Sequence, residues 1–412
     1  MVNFHGLSGI ADQRIRYVVI AARMSGRWIY GRHKGRTTWE MPGGRREYDA
    51  VSGRFTETAL EAAERELKEE TGAVRYTLRA VCTYTVRWEN GEEEESGGLL
   101  ALADVEETEP LRHEIEELCL REELPGADQL TYPAIQPYLF ERIRKFLRAE
   151  ERMKGVRAVI ADLDQTLLRT DKTLSDDTVS VLKGCRERGL KIVFATARPV
   201  RTVERYLKQI PCDAVIYHNG AFALSGGRLI GRKRLVDGRR AGELLRFLHR
   251  EYPGKRLAAE IQDTLYANYD VKEFWTFTDA VRTDFTNLPG EDADKLLIEV
   301  DGEEEYKEIC GMLWDEVYGQ LADGRLCLVM NKEATKFRAV RELAGFWGIP
   351  EDKMLAIGDD VNDMEMLKGC GIGAAVENGL DEVRFLADYI TGSNDTDGPA
   401  HFLEQKILKR TD

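Results

Sequence analysis

The chain has no apolar run approaching the roughly 20 residues that span a bilayer. Its amino terminus, Met1-Val2-Asn3-Phe4-His5-Gly6, lacks the basic segment and following apolar stretch of a secretory leader. These absences lead to the expectation of a cytoplasmic protein without a membrane partner. Surplus basic charge is missing too. The formal net charge is −14, whereas phosphate backbones are held by surplus Lys and Arg, so nucleic acid is not expected as a partner. Small phosphate-bearing molecules remain open, because a metal ion can screen a local site. No Cys-x-x-Cys pair occurs among Cys82, Cys119, Cys185, Cys212, Cys310, Cys327 and Cys370, which read as buried reduced thiols. There is no internal repeat, and no low-complexity tract longer than the acid run 92–95.

What is present is material for more than one core. At 412 residues, 43% of them hydrophobic, two or three domains are expected. Strands are predicted over 15–22, 27–30, 78–88 and 98–105. A helix over 58–71, rich in Ala, Glu, Leu and Lys, ends at Gly72, and a second spans 133–152. From 158 onward strands alternate with helices: strand 158–163, helix 176–188, strand 191–195, helix 200–209, strand 214–217. That order implies a doubly wound parallel sheet. Residues 221–330 change character, with short strands at 229–230 and 295–300 and helices at 241–250 and 304–318, and read as an insertion. The alternation resumes with helix 335–347, strand 354–357 and helix 362–368. The expected units are 1–152, then 153–220 with 331–412, and an inserted 221–330.

Two stretches carry chemistry. In the first helix Glu66, Glu69 and Glu70 stand three and four residues apart and share a face, an arrangement of like charges that suits a hard divalent cation. In the second, a short apolar strand ends in Asp162-Leu163-Asp164. Alternate strand residues point to one side, and two close anions need a cation or a proton.

The run Glu57-x7-Arg65-Glu66-Leu67-x-Glu69-Glu70-x-Gly72, preceded by Trp39-Glu40-Met41-Pro42-Gly43-Gly44, resembles the Nudix box of Nudix hydrolases. The resemblance implies an α/β/α sandwich with a mixed sheet over roughly 15–147. It implies metal binding by Glu66, Glu69 and Glu70, with Glu69 catalytic, Arg65 orienting the glutamates and Gly43-Gly44 forming a tight loop into the helix. Such enzymes cleave a diphosphate bond linked to another moiety with metal-activated water. One departure is a loop, 45–56, about seven residues longer than usual, with Gly53 as a local substitute for the missing glycine. The acid run 92–95, Glu114 and Glu117 read as solvated rather than as further ligands.

Downstream, Asp162-Leu163-Asp164-Gln165-Thr166, Phe194-Ala195-Thr196-Ala197-Arg198-Pro199, Lys336 and Gly358-Asp359-Asp360-Val361-Asn362-Asp363 occur in the order found in the haloacid dehalogenase (HAD) superfamily, which they resemble. Tyr217-His218-Asn219-Gly220 lies between them, and the insertion between Asn219 and the Lys336 helix, with Gly371-Ile372-Gly373-Ala374-Ala375-Val376-Glu377-Asn378-Gly379 and Asn394-Asp395-Thr396-Asp397-Gly398-Pro399-Ala400, is similar to the Cof-like, type IIB branch. The resemblance implies a Rossmann-like core with an inserted α+β cap, Asp162 as nucleophile and Asp164 as acid and base. Thr196 and Lys336 would meet the phosphoryl oxygens, and Arg198, Asn219, Gly220 and Asn362 would line the substrate. Asp162, Asp359, Asp363 and the carbonyl of Asp164 would bind the metal, Mg2+ (or Mn2+) at this site as at the first. Gln165 and Phe337 stand where glycine is common in that family. Arg232, Lys233 and Trp275 of the insertion identify no substrate. The combined reading is a bifunctional phosphohydrolase acting on small-molecule phosphates. The rival reading makes the Nudix part a nucleotide-sensing module that no longer hydrolyses.

Overall fold

A computed structural model describes residues 2–87, 96–111, 115–210, 212–273, 278–322 and 324–409. Trp88, the run 92–95, Glu114 and Trp275 lie outside the described residues. The amino-terminal strands are β1 (Val2–His5), β2 (Ile15–Met24), β3 (Arg27–His33) and β4 (Gly43–Arg45), then a hairpin of β5 (Tyr48–Asp49) and β6 (Arg54–Phe55). Helix α1 (Ala59–Thr71) begins with a capping box, in which Thr58 accepts from the Glu61 N–H and Glu61 accepts from the Thr58 N–H. It stops at Gly72, whose φ of 66° is left-handed. Next come β7 (Ala73–Val86), β8 (Ser96–Thr108), β9 (Ile115–Arg121) and α2 (Gln136–Met153).

The sheet runs β1-β7-β8-β2-β3-β9, with β4 beside β2. It is mixed, since β2 and β8 are parallel while β7 and β8 are antiparallel. Side-chain alternation gives each face its own helix. Ile20, Ala22, Ala101 and Ala103 pack with Ala62, Ala63 and Leu67 of α1. On the other face Ala21, Leu100 and Leu102 share a core with Leu139, Phe140 and Ile143 of α2. This is the α/β/α sandwich the sequence implied.

The chain then enters β10 (Ala158–Ala161), α3 (Asp176–Glu187), β11 (Lys191–Ala195), α4 (Val200–Leu207), β12 (Ala214–Tyr217), β13 (Phe222–Ser225) and β14 (Arg228–Ile230). The insertion holds α5 (Gly238–Glu251), β15 (Leu257–Ile261), β16 (Thr264–Ala267), β17 (Val281–Arg282), β18 (Lys295–Glu299), α6 (Glu303–Gly311), β19 (Val317–Ala322) and β20 (Leu326–Asn331). The return supplies α7 (Lys336–Trp347), β21 (Met354–Gly358), α8 (Met364–Gly369), β22 (Ile372–Ala375), α9 (Asp381–Leu386), β23 (Tyr389–Ile390) and α10 (Gly398–Leu403). The second sheet is ordered β14-β13-β12-β11-β10-β21-β22-β23, parallel except for β13 and β14. The insertion forms its own sheet, β17-β16-β15-β18-β20-β19.

One element differs in type from its expectation. The helix predicted over 304–318 ends at Gly311, and residues 317–322 pair as strand β19 with β20. Helix-forming composition upstream extends a local reading too far, whereas Val317 and Tyr318 favour a pleated strand once a partner exists.

Candidate active sites

Strand β10 sits in the middle of its sheet, between β11 and β21, with all four residues buried. In such sheets ligands bind beyond the carboxyl ends of the strands, where the order reverses. Three ends meet there: Asp162 follows β10, Thr196 follows β11, and Asp359 follows β21. The parallel register that pairs Ala161 with both Phe194 and Ile357 sets them level.

Asp162, Asp359 and Asp363 place carboxylate oxygens within 4.8 Å of one another, the one such group of metal-ligating side chains among the described residues. Lys336, the first residue of α7 and buried, donates to Asp162 Oδ1 at 2.8 Å and Asp363 Oδ1 at 2.6 Å. Asp363 Oδ2 accepts from the N–H groups of Asp359 (3.0 Å) and Asp360 (3.2 Å). Thr166 donates to Asp359 Oδ1 at 2.6 Å, a role the sequence did not reveal. Burial raises the pKa of Asp162 despite Lys336, and the neighbouring carboxylates add to the rise. Burial and Asp363 push Asp359 up to about 7. A pocket of three carboxylates with one ammonium is short of positive charge, and all-oxygen donors suit a hard divalent cation. The residues present therefore fit Mg2+.

The Asp164 carboxylate stands outside this trio. Arg198 grips it with Nε and Nη2, both at 2.6 Å, and Lys172 Nζ lies 3.0 Å away. Burial alone would raise Asp164, but Arg198 and then Lys172 outweigh it and hold the carboxyl below its usual value. Pro199 serves as the N-cap residue of α4, so Arg198 lies between Thr196 and the helix. Thr196 is buried, and its hydroxyl accepts from the Arg198 N–H at 3.2 Å. Asn362 donates to Asn219 at 3.1 Å, joining two expected substrate-lining residues 143 positions apart. Gly220 has φ 101°, and a Cβ there would meet the Thr335 carbonyl oxygen at 2.1 Å, so only glycine lets this turn sit against the start of α7.

Both departures from the family pattern find a local explanation. Gln165 adopts φ 57° and turns its side chain to Asn394 (3.2 Å), while its carbonyl accepts from Asn378 (2.8 Å). Gln165 thus braces this turn against Asn378 and Asn394. Phe337 packs over Gly369, where an added Cβ would meet its ring at 2.0 Å, and Lys336 still reaches the carboxylates.

The glutamate helix is arranged differently from its expectation. Arg65 does bind Glu57 (2.8 Å), Glu66 (2.9 Å) and Glu69 (3.2 Å). Glu70, however, faces inward, accepting from the Gly43 N–H at 2.9 Å, with His33 Nε2 at 3.1 Å. His33 also lies 2.9 Å from Glu40, whose pKa burial raises against the pull of His33 and Arg36. Neither partner was foreseen, because both come from other strands or loops. Burial likewise raises Glu66, against Arg65. Gly43 and Gly44, expected as a tight loop into the helix, instead pair with Val19 and Val18 as β4. A Cβ on Gly44 would meet Glu66 Oε1 at 2.1 Å. The lengthened loop is the β5–β6 hairpin, anchored by the buried Arg46, which binds Asp12 and stacks on Phe55 at 4.1 Å. Gly53, at φ 69°, belongs to the turn of that hairpin rather than the entry to α1. Glu117 is paired with Arg32 at 2.7 Å on the surface.

Comparison with known proteins follows this division. Residues 159–403 match the family model for haloacid dehalogenase-like hydrolases, and residues 12–141 match the NUDIX domain model. Three relatives in Bacillus subtilis (strain 168), YitU and YwtE among them, are named 5-amino-6-(5-phospho-D-ribitylamino)uracil phosphatase. YitU is 29% identical over 274 residues, covering 60% of this chain and 96% of the relative. YwtE is 25% identical over 285 residues, covering 61% and 98%. Among solved structures, a HAD subclass IIB sugar phosphatase superposes with TM-score 0.54 at 23% identity, covering 61% of this chain and 98% of the other. A haloacid dehalogenase-like hydrolase from Bacteroides thetaiotaomicron gives 0.55 at 20%, covering 61% and 99%. These last two likenesses speak to fold alone. Among the described residues no helix is long and apolar enough to cross a membrane. The chain belongs to the haloacid dehalogenase-like hydrolases, with a NUDIX domain match ahead of that region.

Proposed function

We propose that the chain is a bifunctional, Mg2+-dependent phosphohydrolase built from a Nudix unit (1–152), a phosphatase core (153–220 with 331–412) and a cap (221–330). The observation that carries the phosphatase half is the convergence of Asp162, Lys336, Asp359 and Asp363 at the carboxyl edge of one parallel sheet. An Asp162 oxygen attacks the phosphorus of a phosphomonoester, and the P–O bond to the alcohol breaks. Asp164 transfers its proton to the departing oxygen, then takes one from the water that opens the aspartyl-phosphate and releases inorganic phosphate. Arg198 keeps Asp164 oriented and ionised. A phosphoryl group that draws Arg198 and Lys172 away lets Asp164 take up a proton from solvent before the P–O bond breaks, and this is the proton the departing oxygen receives. Lys336 and Thr196 compensate charge on the phosphoryl oxygens. Asp162, Asp359, Asp363 and the Asp164 carbonyl would hold Mg2+, which when bound would add positive charge beside the phosphoryl group.

The substrate is a small phosphomonoester. The relatives named as phosphatases of 5-amino-6-(5-phospho-D-ribitylamino)uracil support a phosphorylated alcohol of moderate size. Asp162→Asn should lower phosphate release from para-nitrophenyl phosphate by more than about a thousandfold, and chelation of divalent ions should do the same reversibly. Retention of a tenth of the wild-type rate by Asp162→Asn sinks the assignment.

The Nudix half acts on a nucleoside triphosphate or a nucleoside diphosphate derivative, and the monophosphate it releases is a candidate for the second site. Glu66, Glu69 and Glu70 bind its metal, with Glu69 catalytic. One observation favours the second reading, a nucleotide sensor: Glu70 is engaged by His33 and Gly43 rather than grouped with Glu66 and Glu69. The two separate cleanly. Hydrolysis of a nucleoside triphosphate that is lost in Glu69→Gln supports the enzyme. A phosphatase rate that changes with uncleaved nucleotide supports the sensor.

A further inference from the structure

Between the insertion and the phosphatase core lies a cavity of about 450 Å3. Its lining passes from the buried Lys336 and Asn219, through the half-buried Tyr318 and Gln320, to Lys332 and Glu365 at the exposed end. Lys336, Asn219 and Asn362 connect this cavity to the phosphatase site, so it is the space beside Lys336 that the alcohol part of a substrate would enter. Ligand pockets of roughly 300–1,000 Å3 enclose whole organic molecules, so the cavity holds far more than a short alcohol.

Its chemistry is selective. Tyr318 and Gln320 stand two residues apart on the edge strand β19, so their side chains project from one face. The Tyr306 hydroxyl donates to the Gly319 carbonyl at 2.8 Å, which fixes a second ring at the cavity wall. Burial and the facing Glu365 raise the Tyr318 pKa, keeping its hydroxyl a donor. The Gln320 amide offers a donor and an acceptor side by side. Asn362 Oδ1, on the core side of the same cavity, is buried without a hydrogen-bond partner. Aromatic faces suit a flat ring, and an amide beside them suits a ligand edge presenting both an N–H and a C=O. A bare sugar phosphate has hydroxyls but no such edge.

We propose that Tyr318 and Gln320 form the recognition site for the alcohol part of the substrate, and that this part carries a planar heterocycle with an amide-type edge, of the nucleobase class. The inference rests on the phosphomonoesterase reading above and adds the residues and the ligand chemistry that decide selectivity.

The test compares kcat/KM for uridine 5′-monophosphate and ribose 5-phosphate, which share the 5-phosphoribosyl part and differ at C1, a uracil ring in one and a hydroxyl in the other. The wild type should prefer the ring-bearing substrate by at least tenfold. Gln320→Ala should collapse that ratio by tenfold or more through KM for the nucleotide. Gln320→Glu, which keeps the size but removes the donor, repeats the measurement should the alanine variant fail to fold. A wild-type ratio near one, or a ratio that survives both substitutions, overturns the proposal. Asp162→Asn provides the separate control: if that variant still turns over both substrates, the underlying phosphatase reading has failed rather than the ring site.

Discussion

Asp294 is buried at the junction of insertion and core, 4.0 Å from the unpartnered ring of His218, with Lys233, Glu260 and Asp263 as further charged neighbours. Burial, only partly offset by the Asp263 N–H and Lys233, raises its carboxyl pKa to about 6. The sign follows from linkage. A folded pKa above the unfolded value means that the folded state holds the proton more tightly, so stability is full below about pH 4 and is lost as pH rises through about 6. Asp294→Asn removes this titration. Urea unfolding of wild type and variant at pH 4 and pH 7 should show the wild type losing on the order of 2 kcal/mol relative to the variant. Parallel pH dependence in the two proteins refutes the assignment. None of this was legible in the sequence, where Asp294 is one acid among many. Asp162, Thr196, Lys336, Asp359 and Asp363 were legible, because each belongs to a short pattern in a required order.

At the scale of elements, α1 shows how much a local signal carries. Its composition, its N-terminal Thr58 and its terminal Gly72 all predicted the helix that forms. Substituting Gly72 by alanine forces a Cβ into a left-handed turn and within 2.2 Å of the Glu109 carbonyl oxygen. Gly72→Ala should cost more than about 1 kcal/mol and lower the melting temperature, while Thr58→Ala should cost about 1 kcal/mol through loss of the cap. Thermal denaturation of both variants checks the ordering. Strand β19 teaches the converse. The residues after Gly311 become a strand because β20 offers a partner in register, from Val317 opposite Asn331 to Ala322 opposite Leu326. A strand's stability lies in its cross-strand neighbours, and those are invisible to a window of local sequence.

The whole molecule is held together by more than a linker. Helix α2 packs against both sheets: Phe140 meets Trp28 at 5.1 Å, and Phe146 meets Tyr389 of the edge strand β23 at 5.6 Å. Arg142 donates to the Ala387 carbonyl at 2.6 Å and Arg152 to that of Gly371 at 2.9 Å. The amino-terminal Gly6 N–H and His5 close on Glu377, whose neighbour Asn378 contacts Gln165. One buried apolar cluster runs from Val2 and Phe4 through α2 to Phe402. The two halves should therefore unfold as one cooperative transition. Phe146→Ala should cost roughly 3–5 kcal/mol and lower the single melting midpoint of the whole chain together with the inactivation midpoint of phosphate release. Two separate calorimetric transitions in the wild type contradict this.

Sequence alone determined the local elements and the order of the motifs, since capping, alternation and motif spacing act over a few residues. It also predicted that carboxylates would gather beyond β10, because parallel strands in this order can deliver them nowhere else. Only the tertiary structure decided which charges meet. Arg198 grips Asp164 across 34 positions, Lys336 sits between Asp162 and Asp363, and Glu70 meets His33 and the Gly43 N–H. The physical reason is range: a charged side chain is oriented by whatever partner the packed backbone brings within about 3 Å, and chain separation carries no information about that.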